Sequence, residues 1–210
     1  MLTIDLFTEI SCPWCLIGMH RLDKVLTERF PALDVEIRHH PILLLRDIPA
    51  EGLHIPDLLR SRYGVTDMKA AFARPEQEAR DSGLELDLSL QLRTYSTLPA
   101  HALIMAASER GTQHRLAMAI TRAYFLEATD IENAQQLADL AVSYGFERDE
   151  ALGIAVDPSR HAAVERAAAE AGAQGIRSVP HFVFDGRLML NGGRSEDEIA
   201  EAIASAATIA

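Results

Sequence analysis

The chain has 210 residues, of which 48% are hydrophobic and 24% charged, and its formal net charge is −11. These values are typical of one large globular domain, or of a small domain that carries an insertion. The acidity argues against nucleic acid and anionic membrane surfaces as partners, since both need clustered Lys and Arg. The N-terminal residues lack a basic leader, and no apolar run could span a bilayer. We therefore expect a cytoplasmic protein without membrane contact.

The N-terminal part predicts a β-α-β unit. Residues 2–7 alternate between apolar and polar side chains, which is typical of a short strand. Apolar residues then recur at helical spacing as far as Pro31, where a helix must end. Residues 34–40 alternate again and predict a second strand.

The C-terminal part predicts a β-β-α unit. Residues 181–190 form two short apolar runs around Asp185-Gly186, which is a hairpin signal. Ser195 and Glu198 have the spacing of a capping box, and a helical apolar pattern follows them.

The long middle of the chain has helical periodicity and no convincing strand. A β-α-β unit, a helical block and a β-β-α unit, in this order, are the arrangement of a thioredoxin fold with an inserted domain. We therefore predict an α/β thioredoxin fold. Residues 1–48 and 163–210 would form the thioredoxin-like domain, and residues 49–162 an all-helical insertion domain.

The chain has two cysteines, in the sequence Cys12-Pro13-Trp14-Cys15. A disulfide across so short a loop constrains the unfolded chain little, so the spacing favours redox chemistry over stabilisation. Cys12 lies where a helix begins, and the helix N-terminus stabilises a thiolate there. Cys12 is the predicted nucleophile, and Cys15 the thiol that resolves a mixed disulfide. Trp14 is expected to shape the substrate-binding rim, or only to pack against the insertion.

A C-x₂-C pair is also half of a zinc site, for which His20, His39 and His40 could supply further ligands. However, adjacent residues on a strand point to opposite faces, so His39 and His40 cannot easily serve together. A second metal-binding motif is missing from the sequence. We therefore prefer redox chemistry and predict no metal site.

Val179-Pro180 precedes the predicted third strand. One interpretation is an ordinary trans proline that opens a strand. The alternative is a cis bond, which X-Pro sequences adopt at little cost. A cis bond would present the backbone N–H and C=O of Val179 to an extended peptide or to glutathione.

Four further residues are candidates for substrate binding. His101 opens a helix of the insertion and could contact substrate or tune a thiolate, although capping and packing are the simpler explanation. His181 follows Pro180 and lies either near the sulfurs or toward solvent. Arg194 and Ser195 precede a helix N-terminus, where they either bind a carboxylate or simply cap the helix.

Three features together resemble the DsbA family of thioredoxin-like proteins: Ser-Cys-Pro-Trp-Cys after a first strand, Ser-Val-Pro-His-Phe-Val-Phe-Asp-Gly, and the helical insertion. The FrnE-like branch, described as polyketide-associated dithiol–disulfide isomerases, is the most similar. The resemblance covers nearly the whole chain, including Thr97 and Ala100-His101. It implies that Cys12 and Cys15 are the redox pair, and that Pro180 is a cis-proline beside them.

The resemblance implies a protein-disulfide oxidoreductase or isomerase with a thiol- or disulfide-containing protein or small molecule as substrate. No bound cofactor is expected, and glutathione or another thiol system would exchange electrons with the protein. The Pro-Trp dipeptide differs from the Pro-His of periplasmic oxidants, so a strongly oxidising potential does not follow. A homodimer formed through the insertion stays open.

Two other functions compete with this one. Related 2-hydroxychromene-2-carboxylate isomerases and kappa-class glutathione transferases have a serine where Cys12 stands, which suggests glutathione-dependent isomerisation or transfer. Cys15 argues against that alternative, because a second thiol would convert a glutathione adduct into an internal disulfide. The third alternative is a non-catalytic module that binds a peptide or a hydrophobic ligand.

Overall fold

The structure is a computed structural model that describes residues 1–208. Its elements follow the predicted order, with a β-α-β unit first, helices in the middle and a β-β-α unit last. In chain order they are β1 (Leu2–Thr8), α1 (Pro13–Arg29), β2 (Val35–Pro41), β3 (Leu53–His54), α2 (Ile55–Tyr63), α3 (Met68–Asp81), β4 (Arg93–Thr94), α4 (Leu98–Ala106), α5 (Gln113–Glu127), α6 (Ala134–Ala141), α7 (Arg148–Val156), α8 (Pro158–Ala173), β5 (His181–Phe184), β6 (Leu188–Asn191) and α9 (Glu196–Thr208).

The main sheet has the strand order β2-β1-β5-β6. β1 is parallel to β2 and antiparallel to β5, so Ile4 lies between Ile37 and Phe184. Alternate β1 residues are buried on one face, against α1 and α9. The predicted thioredoxin fold is confirmed.

The predicted hairpin and capping box are both present. Asp185 and Gly186 have φ values of 48° and 66° and are the central residues of a β-turn in which the Arg187 N–H donates to the Phe184 carbonyl at 3.0 Å. The Glu198 N–H donates to Ser195 Oγ (3.2 Å), while the Ser195 N–H donates to the Glu198 carboxylate (2.9 Å). These contacts fix the direction in which α9 leaves the sheet.

The middle of the chain forms a second apolar core around α4, whose Ala100, Leu103 and Ile104 are buried. α5, α6, α7 and α8 pack against α4. The predicted all-helical insertion also contains the antiparallel pair β3 and β4. Two-residue strands are too short to produce an alternating pattern, so they could not be predicted from the sequence.

α1 and α8 connect the two cores. Leu16 and Ile17 of α1 lie in the helical core, whereas Leu22 and Val25 lie in the core beneath the sheet. α8 packs against both α4 and β2, and the predicted boundary after residue 162 falls inside it. Those domain boundaries stay a prediction. Within residues 1–208, none of the helices is long and apolar enough to cross a membrane.

Candidate active site at the cysteine pair

Cys12 is the N-cap residue of α1, and Pro13 occupies the first helical position. The Cys15 N–H donates to the Cys12 carbonyl at 3.0 Å, which closes the first turn around the pair. Both cysteines are free thiols; Cys12 is 8% exposed and Cys15 is fully buried. The predicted placement of Cys12 at a helix start is therefore confirmed.

The two thiols differ in acidity. The pKa of Cys12 is lowered, chiefly by a hydrogen bond from the Cys15 thiol and further by backbone N–H groups of Cys15 and Trp14. The pKa of Cys15 is raised well above its usual value, chiefly by burial and then by the interaction with Cys12. The arrangement favours a thiolate on Cys12 and a protonated thiol on Cys15.

Pro180 lies against α1, and the Val179–Pro180 bond is cis. A Cβ placed on Gly18 would lie 2.9 Å from Pro180 Cγ and 3.2 Å from the Phe182 ring, so only glycine allows this approach. Val179 is half-buried. Its N–H and C=O make no backbone hydrogen bond within residues 1–208, and their contact with a substrate stays a prediction.

Glu9 is a residue of this site that the sequence analysis missed. It is 1% exposed, its carbonyl accepts from the Cys12 N–H at 3.1 Å, and its own N–H faces Cys15 Sγ at 3.5 Å. Its carboxylate accepts from the Leu44 N–H at 3.1 Å. Glu9 thus joins the cysteine turn to the loop after β2. Its position three residues before Cys12 was the available signal, but the sequence could not show that it is buried.

His101 lies beside Glu9. Its Nε2 is 3.5 Å from Glu9 Oε1, both side chains are almost fully buried, and neither atom makes a hydrogen bond within the described chain. The negative charge of Glu9 raises the pKa of both cysteines. His101 therefore contacts Glu9, which in turn contacts both cysteines. Direct contact of His101 with substrate stays a prediction.

A pocket of about 540 Å³ opens beside Cys12. Trp14 forms part of its wall, and it also packs against the helical core. A role of Trp14 in substrate binding stays a prediction. A Cβ on Gly193 would come within 2.5 Å of the Trp14 ring, and the Arg74 guanidinium lies 5.3 Å from the centre of that ring. The indole of Trp14 thus contacts the backbone at Gly193 and the guanidinium of Arg74.

The other candidate positions lie outside this pocket. His181 is buried in β5, where Nδ1 pairs with the Asn191 side chain and the ring contacts Phe7 edge-on. Arg194 bonds the Asn191 carbonyl and Glu198, and Ser195 belongs to the capping box. Substrate binding by His181 stays a prediction, and α9 capping accounts for Arg194 and Ser195.

The histidines considered as zinc ligands have other partners. His20 bonds the Ser82 carbonyl, His39 bonds His114 and His40 bonds Asp5. Among residues 1–208, no group of three or more His, Cys, Asp or Glu side chains is arranged to hold a metal ion.

Comparison with known proteins agrees with this geometry. The family described as DSBA-like thioredoxin domain matches residues 3–204. No curated protein matches the sequence. A structure described as a "probable DsbA oxidoreductase" from Streptomyces coelicolor is similar, with a TM-score of 0.86 and 25% identity over 99% of this chain and 91% of that one.

Two more distant structures share the fold. A 2-hydroxychromene-2-carboxylate isomerase gives a TM-score of 0.72 at 12% identity, over 99% of this chain and 95% of that one. The cytosolic disulfide reductase DsbM from Pseudomonas aeruginosa, solved with GSH, gives a TM-score of 0.69 at 16% identity, over 98% of this chain and 99% of that one.

Proposed function

The chain belongs to the family of DSBA-like thioredoxin domains, and we propose that it is a thiol–disulfide oxidoreductase that works through a mixed disulfide on Cys12. The observation that carries the proposal is the position of the pair: Cys12 is the N-cap of α1, the Cys15 N–H donates to its carbonyl at 3.0 Å, and both thiols are free. The lowered pKa of Cys12 and the raised pKa of Cys15 support it. Membership of the FrnE-like branch stays a prediction.

The first step uses the Cys12 thiolate, which attacks one sulfur of a substrate disulfide. A bond forms between Cys12 and that half of the substrate, and the other half leaves as a thiolate. Backbone N–H groups at the start of α1 stabilise the Cys12 thiolate before attack. Val179, with its free backbone groups beside Pro180, would align an extended substrate next to the sulfur.

The second step uses Cys15. Its thiol loses a proton and attacks Cys12 Sγ, which forms the Cys12–Cys15 disulfide and releases the second substrate half as a thiolate. The substrate gains two electrons and the pair loses them. Reduced glutathione, or another thiol system in the cytoplasm, would regenerate the dithiol without a bound cofactor. The same steps in reverse oxidise a dithiol, and isomerisation combines both directions.

The test is a pair of matched serine variants. Cys12→Ser should abolish thiol exchange, because no nucleophile remains at the helix N-terminus. Cys15→Ser should keep the first step and accumulate mixed disulfides on Cys12, which mass spectrometry of the trapped protein would identify. Full exchange activity in Cys12→Ser would contradict the proposal. Unchanged ligand binding after loss of both cysteines, without any exchange in the unmodified protein, would favour a binding module.

A further inference from the structure

We propose that the substrate exchanged at Cys12 is a compact, low-molecular-weight disulfide with an apolar body that occupies the pocket beside this cysteine. The inference rests on the proposed function and names its substrate class. A volume of about 540 Å³ lies in the usual range for one small organic ligand. Because Cys12 is part of the pocket wall, a molecule inside it would place a sulfur within reach of the nucleophile.

One wall of the pocket is the apolar face of α2. Ile55, Leu58, Leu59 and Tyr63 follow one another at helical spacing and all line the pocket. None of the residues of α2 is buried, and Tyr63 is 64% exposed. The apolar face of an amphipathic helix normally packs against the rest of the protein. Here that face is turned to the space beside Cys12. A bound apolar group would cover it.

The scarcity of charged residues in the pocket wall also favours an apolar ligand. None of the described residues that line it is Asp, Glu or Lys, although the chain as a whole has a net charge of −11. Arg74 is the single cation in the lining, and it lies over the Trp14 ring at the wall. A peptide ligand with several charged side chains would lose the hydration of those charges against such walls without finding oppositely charged partners. A ligand with an apolar body, whose negative group, if it has one, lies near Arg74, fits these walls.

The inner part of the pocket offers one unused polar group. Thr94 is 3% exposed and lines the pocket. Its Oγ1 lies near the Tyr124 hydroxyl, whose pKa is raised by burial and partly lowered by Thr94, but it completes no hydrogen bond of good geometry within the described chain. Its neighbours are already engaged: the Tyr124 hydroxyl donates to the Arg93 carbonyl at 3.0 Å, and Gln91 Nε2 donates to the Tyr124 carbonyl at 3.1 Å. A buried hydroxyl without a partner is rare. We infer that Thr94 bonds a polar atom at the inner end of the ligand.

The chemical steps are those of the proposed function. The Cys12 thiolate attacks the sulfur that carries the apolar half, and the other half leaves as a thiolate. The Cys15 thiol then loses its proton and attacks Cys12 Sγ, which releases the apolar thiolate and leaves the Cys12–Cys15 disulfide. Two molecules of reduced glutathione return the pair to the dithiol.

The experiment is a series of mixed disulfides between 2-mercaptoethanol and straight-chain alkanethiols, from ethyl to hexyl. Alkanethiols of different length have similar thiol acidity, so chain length changes burial more than intrinsic reactivity. Turnover is measured with reduced glutathione, and the rate with Cys12→Ser is subtracted as background. We expect kcat/KM to rise about two- to fourfold for each added methylene that enters the pocket.

Three variants localise the effect. Leu59→Glu puts a charge on the pocket face of α2 and should flatten the dependence on chain length, while its matched control Leu90→Glu, at a residue that is 56% exposed and outside the pocket, should retain it. Thr94→Val removes the unused hydroxyl at nearly constant shape. It should raise the KM of a mixed disulfide whose alkyl chain, on the side of the alkanethiol, ends in a hydroxyl, and leave that of the hexyl substrate unchanged.

A flat series, with exchange that still requires Cys12, would overturn this inference and leave the proposed function in place. So would a hydrophobic cysteine-peptide disulfide that reacts more than tenfold faster than the hexyl compound, because the pocket would then serve a protein substrate. Absence of Cys12-dependent turnover with every disulfide would overturn the proposed function as well.

Discussion

Gly18 and Pro180 approach each other so closely that a Cβ on Gly18 would lie 2.9 Å from Pro180 Cγ. Gly18 belongs to the second turn of α1, the helix that begins at the cysteines, and Pro180 directly precedes β5. This contact therefore packs α1 against the segment that carries Val179 and Pro180. The geometry of the proposed active site depends on two segments that are far apart in sequence.

Gly18→Ala should destabilise the protein by about 1–3 kcal/mol, because the new methyl group overfills a packed contact. It should also slow thiol exchange, since Pro180 must move away from α1. Gly172→Ala is the matched control, because a Cβ there meets no atom within 4 Å. That change should stabilise α8 by about 0.5–1 kcal/mol. Urea unfolding of both variants measures the difference; equal stability of the two would contradict the packing described.

Alkylation of Cys12 with iodoacetamide should have a pH midpoint below that of an ordinary cysteine, because the pKa of Cys12 is lowered chiefly by the Cys15 thiol. Cys15→Ala removes that hydrogen-bond donor and should raise the midpoint. Cys15→Ser keeps a hydroxyl donor and should raise it less. Mass spectrometry after timed labelling gives each midpoint, and identical values in all three proteins would show that Cys15 does not control Cys12.

His101→Ala should destabilise the protein by about 3–5 kcal/mol, because it leaves the Glu9 carboxyl group buried beside an empty space. Glu9→Gln should then cost less in the His101→Ala background than in the unmodified protein. A double-mutant cycle by urea unfolding measures this coupling. The exposed pair Arg60 and Asp57, 3.0 Å apart, is the control and should couple only weakly. Additive effects of Glu9 and His101 would rule out the pairing.

Stability should fall as the pH drops below about 6.5, and His39 accounts for part of the loss. The pKa of His39 is held well below its usual value by burial and by His114, His101 and His40. The unfolded chain therefore binds a proton at a pH where the folded chain does not. His39→Gln should reduce the slope of the free energy of unfolding against pH, measured by urea unfolding on both sides of about pH 6.5. A slope equal to that of the unmodified protein would contradict the role of His39.

The sequence was sufficient for those features that local patterns determine. The alternation in β1 and β2, the Asp185-Gly186 turn and the Ser195–Glu198 capping box depend on neighbouring residues, and each was found as predicted. Cys12 was recognisable because a helix start and a second cysteine are both visible in one short segment.

Features that depend on distant contacts could not be predicted. The partner of Glu9 is His101, and nothing in either local sequence indicates that the two are buried together. The pocket brings Cys12, Thr94 and α2 to one place, which requires the packing of three separate segments. The pair β3 and β4 was missed for the same reason, since its strands are 38 residues apart and two residues long.

The most direct test of the proposed function is a redox titration in glutathione buffers, with thiols alkylated and protein masses measured. We predict one two-electron transition in which the protein loses two hydrogens and forms the Cys12–Cys15 disulfide. Its midpoint, compared with about −270 mV for thioredoxin and −120 mV for a strong oxidant, would give the favoured direction of exchange. A lasting glutathione adduct on Cys12, without an internal disulfide, would contradict the proposal and favour a glutathione-dependent isomerase or transferase.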